Sequence, residues 1–140
     1  MDDILLNKVS MIERCLKRID EDYTGHEDEL ESNFMRQDSI ILNLQRACEA
    51  SIDAAMHVVR INKLGIPQQS RDAFALMQGA MLLDVKLADK MQAMVEFRNV
   101  AVQDYRRLNM AILRSILEDH LDDFRQFSRC LIVLAGAENV

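Results

Sequence analysis

The chain has 140 residues, of which 49% are hydrophobic and 29% charged, with a formal net charge of −6. That length suits one domain able to bury a core without disulfide or metal support, and the composition excludes a disordered or membrane-spanning chain. The longest apolar run, Cys130 to Ala135, is far too short to cross a bilayer, and Met1-Asp2-Asp3-Ile4 is acidic where a secretory signal is basic, so a cytoplasmic location is expected.

One proline and four glycines leave few helix breaks, and no alternating strand pattern or internal repeat is present. The first predicted helix runs from about Asp3 to Tyr23, with Leu5, Val9, Ile12, Leu16, Ile19 and Tyr23 forming one stripe. The segment around Thr24-Gly25-His26 ends it. A second, long helix is predicted from about Phe34 to Lys63, with Asp38-Ser39 either capping it or lying inside it. Its stripe is Ile41, Leu44, Cys48, Ile52, Ala55 and Val59, and Gly65-Ile66-Pro67 is a strong stop.

Ser70 is a plausible cap for a short third helix through Gln78, ended by Gly79. Asp84 can cap a fourth, with Leu87, Met91, Met94 and Val95 facing inward, reaching Arg98 or a few residues beyond. A fifth is predicted from Asn109 to Ala135, with Ile112, Ile116, Leu121, Phe124, Phe127, Leu131 and Leu134 as its core face and Gly136 closing it. Helices this long cannot hide their stripes alone, so the fold is expected to be an all-α, up-down bundle of about five helices over residues 1–135, with 136–140 a tail.

Cys15, Cys48 and Cys130 lack any paired spacing and read as reduced thiols. His26, His57 and His120 fall in no metal-ligand spacing, and Asp53 and His57 read as a local i, i+4 pair. Met77, Met81, Met91, Met94 and Met110 read as core and interface filler. Seven acids lie between Asp20 and Glu31 without a Lys or Arg, leaving the rest of the chain at a net charge of +1. The run reads as a solvated loop or a face for a basic partner, and the global charge therefore does not exclude a local nucleic-acid site. No phosphate-cradling glycine loop or Ser-His-Asp arrangement is present.

The residues that carry chemistry are Phe97-Arg98-Asn99-Val100-Ala101-Val102-Gln103-Asp104-Tyr105. This segment resembles the R-x4-H-x-Y signature of the HepT-type HEPN toxins, with Arg98 and Tyr105 in place and Gln103 where the family has histidine. The stretches 37–46 and 65–72 resemble that family's long-helix start and following turn, so the likeness covers roughly residues 1–135. It implies a metal-independent endoribonuclease, a homodimer whose site combines two copies of the motif, and no cofactor of its own. It also implies a minimal nucleotidyltransferase antitoxin as partner, which uses ATP to place AMP on Tyr105.

Such RNA cleavage uses the ribose 2′-hydroxyl as nucleophile and needs a base, an acid and a cation to steady charge on phosphorus. Arg98 suits the last task, since its guanidinium is always charged and grips two phosphate oxygens. Asp38 would orient the site. Arg106 would add to RNA binding, since Arg98, Arg106 and Arg107 against Asp104 make a locally positive segment. Gln103 can hydrogen-bond substrate but cannot exchange a proton near neutral pH, which predicts an impaired nuclease. A missing histidine also fits a non-catalytic adaptor or substrate-binding subunit of a nucleotidyltransferase. Without the resemblance, Arg98 reads as a solvated helix-end arginine, Tyr105 as a core-edge residue, and the whole chain as a structural oligomerisation bundle.

Overall fold

Helix α1 (Asp3–Tyr23) starts where Asp2 can cap it: the Asp2 carboxylate accepts from the backbone N–H groups of Ile4 at 3.0 Å and Leu5 at 3.1 Å. Those donors would otherwise lack partners in the first turn. The structure, a computed structural model, describes residues 1–103 and 109–137. The whole predicted stripe of α1 is buried, joined by Cys15. The chain then turns at Gly25, whose φ of +84° is a left-handed conformation that glycine adopts without a Cβ clash. A short 3₁₀ turn (Glu27–Glu29) follows.

Helix α2 (Phe34–Ile61) is capped by Asn33, which accepts from Arg36 N–H at 3.2 Å, so Asp38 and Ser39 lie inside the helix. Its predicted stripe is buried throughout. Helix α3 (Asp72–Gly79) is not capped by the Ser70 hydroxyl; instead the Asp72 carboxylate folds back to accept from Gln68 and Gln69 N–H, both at 2.9 Å. Helix α4 (Val85–Gln103) starts as expected on Asp84, which accepts from Lys86 N–H at 3.1 Å, and it buries Leu87, Met91, Met94 and Val95.

The helix predicted from Asn109 to Ala135 is two: α5 (Met110–Asp119) and α6 (Leu121–Ala137). The break is at His120, with φ −124° and ψ 0°, whose Nδ1 pairs with the buried Asp123 carboxylate at 3.0 Å. The five-residue step from Ile116 to Leu121 already departs from the three- and four-residue spacing a single helical face requires. The phase slips there. Ile112, expected in the core, is 55% exposed, while Leu113, Ile116 and Leu117 are buried. Gly136 does not end α6, whose described residues continue to Ala137. The described residues thus form six α-helices and one 3₁₀ turn, with no strand.

Helix α2 is central, packed on α1 along its length and on α3, α4 and α6. Phe74, Phe124 and Phe127 are fully buried, and Phe74 of α3 meets Phe127 of α6 edge to face at 5.4 Å. Such a pair contributes about 0.5–1.5 kcal/mol beyond its burial. Asp2 also ties three elements together, since its Oδ2 lies 2.7 Å from His57 Nε2 on α2 and its N–H donates to Ala135 O on α6 at 3.2 Å. The expected Asp53–His57 pair is replaced by two others: Asp53 meets Lys8 of α1 at 3.3 Å, and His57 meets Asp2, the cap of α1. Cys15 and Cys48 are buried free thiols and Cys130 is half-buried. Met77, Met91 and Met94 are core residues, Met110 is half-buried and Met81 is exposed. The acidic run is partly tied down, with Asp22 accepting from Ser39 Oγ at 2.5 Å and Glu31 pairing with Arg114 at 3.4 Å. No described helix is long and apolar enough to cross a membrane.

Candidate functional site

Helix α4 carries Arg98 on the face that meets α2 and α3, so the side chain is 19% exposed, not solvated. Its Nη1 donates to Asn99 Oδ1 at 3.0 Å and its Nη2 to Ser70 Oγ at 3.4 Å. Nε lies 3.1 Å from Glu49 Oε1, but its N–H is not aligned with that oxygen, so this contact is coulombic without a hydrogen bond. Three elements thus hold one guanidinium. An arginine has five N–H donors, and each Nη retains a second N–H that these bonds do not use. A cation fixed this way is suited to gripping two oxygens of one phosphate.

Glu49, Ser70 and Asn99 were not singled out by the sequence. Ser70 looked like a helix cap, and its hydroxyl serves Arg98 instead. Glu49 was legible only as a charged residue directly after the buried Cys48, a signal shared with many helix-edge acids. Burial pushes the Cys48 thiol up to about 12, against the opposing field of Arg98.

Gln103 is the last described residue of α4 and is exposed. It follows Arg98 by five positions, which places it roughly 140° around the helix. Asn99, which accepts from the Arg98 guanidinium, stands one turn before Gln103. Asp38 is exposed on α2, about three turns before Glu49 and roughly 16 Å along the axis. The Arg98 contacts come from Glu49, Ser70 and Asn99, and Asp38 is not among them. Tyr105 and Arg106 lie outside the described residues. Beyond them, Asn109 caps α5 by accepting from Ala111 N–H at 2.8 Å.

Met94, Phe97, Val100, Ile112 and Ile116 line an apolar groove of about 590 Å³ between α4 and α5. Among the described residues, no three His, Cys, Asp or Glu side chains converge as a metal site would require.

A model of the Ribonuclease HepT-like family matches residues 12–131. The chain belongs to the HepT-like family. It is 48% identical over 127 residues to the mRNA nuclease HepT of Shewanella oneidensis, covering 91% of this chain and 95% of that protein. Among solved structures it is similar to the tri-AMPylated Shewanella oneidensis HEPN toxin in complex with MNT antitoxin, with a TM-score of 0.90 and 46% identity over 95% of this chain and 99% of that one. A toxin–antitoxin structure with AMP-PNP matches with a TM-score of 0.90 and 45% identity, covering 94% and 99%. The HEPN-like helical fold read from the sequence is therefore the observed one. Within this HepT-like fold, Arg98 is held by Glu49, Ser70 and Asn99.

Proposed function

We propose that this chain is the toxin of a HEPN–nucleotidyltransferase toxin–antitoxin pair, a metal-independent endoribonuclease silenced by AMP transfer to Tyr105 and slowed by glutamine at position 103. The observation that carries the reading is the half-buried Arg98 guanidinium, held by Glu49, Ser70 and Asn99 at the arginine position of the motif. Supporting it are the similar mRNA nuclease and the similar toxin that is AMP-modified in complex with its antitoxin.

In this reading Arg98 holds the scissile phosphate while the neighbouring ribose 2′-hydroxyl attacks phosphorus and the 5′ oxygen leaves. Charge building on the phosphoryl oxygens is offset by a guanidinium that needs no reorganisation. The 2′ proton must be taken up and the leaving oxygen protonated. A histidine performs these transfers near neutral pH, and the Gln103 amide performs neither. Asp38 orients the site and Arg106 adds a phosphate contact. AMP on Tyr105 sets a bulky anion where the RNA phosphate would sit. Two copies complete the cleft, and the apolar α4–α5 groove is the surface they cover. Ile112→Asp should then shift the sedimenting species toward monomer without unfolding it.

Gln103 itself favours a second reading, a non-catalytic adaptor or substrate-binding subunit of a nucleotidyltransferase, because such a role tolerates loss of the proton shuttle. One experiment separates them. Expression of the Gln103→His variant should arrest growth, with relief by the partner nucleotidyltransferase and adenylate found on Tyr105 by mass spectrometry. Harmless expression with no RNA cleavage by the purified variant would favour the adaptor.

A further inference from the structure

Arg14 and Arg18 stand one turn apart on α1, and Arg46 faces them from α2. With Asn43 and Glu49 they line a groove of about 370 Å³ that lies apart from the apolar α4–α5 groove. All three arginines are exposed. None of them forms an ion pair with a carboxylate among the described residues. In a chain of net charge −6, this groove concentrates three cations around one acid, and that acid is the residue that touches Arg98.

The same three guanidiniums act together on the Cys15 thiol beneath them. Burial raises that thiol's pKa, and Arg46, Arg14 and Arg18 oppose the rise. The thiol therefore lies within the field of all three. Arg14 and Arg18 are offset by about 6 Å along the helix axis, and Glu49 lies only one turn beyond Arg46 on α2. The row of positive charge thus leads toward the anchored guanidinium. No aromatic side chain lines the groove, so it offers no ring on which a base could stack. This chemistry fits a sugar–phosphate backbone irrespective of its sequence.

We propose that Arg14, Arg18 and Arg46 form a track that holds the RNA backbone flanking the scissile phosphate, an inference that rests on the RNA-cleavage reading above. The track supplies sequence-independent affinity and directs the strand past Glu49 to Arg98. Its neutralisation lowers RNA affinity at every sequence and weakens its dependence on salt, since each phosphate contact releases counterions.

The test measures fluorescence anisotropy of a labelled single-stranded 2′-O-methyl RNA, which cannot be cleaved, against the full chain across a salt series. The triple variant Arg14→Ala, Arg18→Ala, Arg46→Ala should lose about 2 from the slope of log affinity against log salt, at roughly 0.7 per single-strand phosphate contact. A charge-matched control, Lys86→Ala, Arg125→Ala, Arg129→Ala, removes as many exposed cations from α4 and α6 and should keep the slope. Thermal unfolding of both variants checks that each is folded. An equal slope in the triple variant and the unaltered chain overturns the track while leaving the nuclease reading in place. Loss of nucleotidyltransferase binding with RNA binding intact also overturns it, and makes the groove a protein-docking face. If the unaltered chain binds no RNA and its Gln103→His form cuts none, the track and the nuclease reading fail together.

Discussion

Arg98 Nε on α4 and Glu49 Oε1 on α2 lie 3.1 Å apart, with the arginine side chain largely enclosed and the glutamate 46% exposed. The contact joins the helix that bears the motif to the central helix of the bundle, and the misaligned N–H makes it an attraction between charges. Its solvent-screened side limits what it contributes to the stability of the fold. Glu49→Gln should change unfolding free energy by less than about 1 kcal/mol in urea titration, as for other partly exposed ion pairs. In the Gln103→His background the same change should lower kcat/KM for RNA by about ten- to a hundredfold, because a misplaced guanidinium no longer meets the phosphate in the reacting geometry.

Histidine at position 103 restores a group that exchanges protons near neutrality. Cleavage by Gln103→His should exceed that of the present chain by about 10²- to 10⁴-fold. The rate should bend with pH near 6.5, the ordinary imidazole value, and no such bend is expected with the glutamine. Excess EDTA should leave the rate of the variant unchanged, since the chemistry assigned to Arg98 and His at position 103 uses no metal. A rate that collapses with EDTA and returns with a divalent cation would contradict this assignment.

Cys48 is sealed against α4, with its Sγ 3.6 Å from Met94 O, and burial raises its pKa from 9.0 to about 12. Above pH 9 the unfolded chain releases this proton while the folded chain keeps it, so stability falls as pH rises. The contribution is intact below 9.0 and disappears progressively toward about 12. Urea midpoints measured from pH 8 upward should decline over that window, and a Cys48→Ala chain should decline less steeply. Iodoacetamide should spare Cys48 in the folded protein and label it on unfolding, because the reactive species is the thiolate.

Asp2 combines a helix cap with a contact to His57. Removal of a capping side chain typically costs about 1 kcal/mol, and leaving a buried polar partner unsatisfied costs a further 1–3 kcal/mol or so. Asp2→Ala should therefore destabilise the chain by about 2–4 kcal/mol in equilibrium unfolding. Asp2→Asn, which can still cap, should lie between the two. The disturbance should spread to the end of α6, because the Asp2 N–H bonds to Ala135 O.

The stripes of α1 and α2 were legible residue by residue because a long amphipathic helix repeats its core positions every three or four residues, and each repeat reinforces the assignment. The family likeness was equally legible, since a motif is a property of residue order. The break at His120 was visible only as a five-residue step, whose meaning depends on Asp123 being buried beneath it. The partners of Arg98 were not legible at all. Glu49, Ser70 and Asn99 come from α2, the turn before α3, and α4 itself, and nothing along the chain says that their polar atoms share one spot. The chain alone determined the all-helical class, the stripes of α1 and α2, and that a cation stands at position 98. Packing decided what holds that cation, because an ion contact depends on distances between segments that local spacing leaves free.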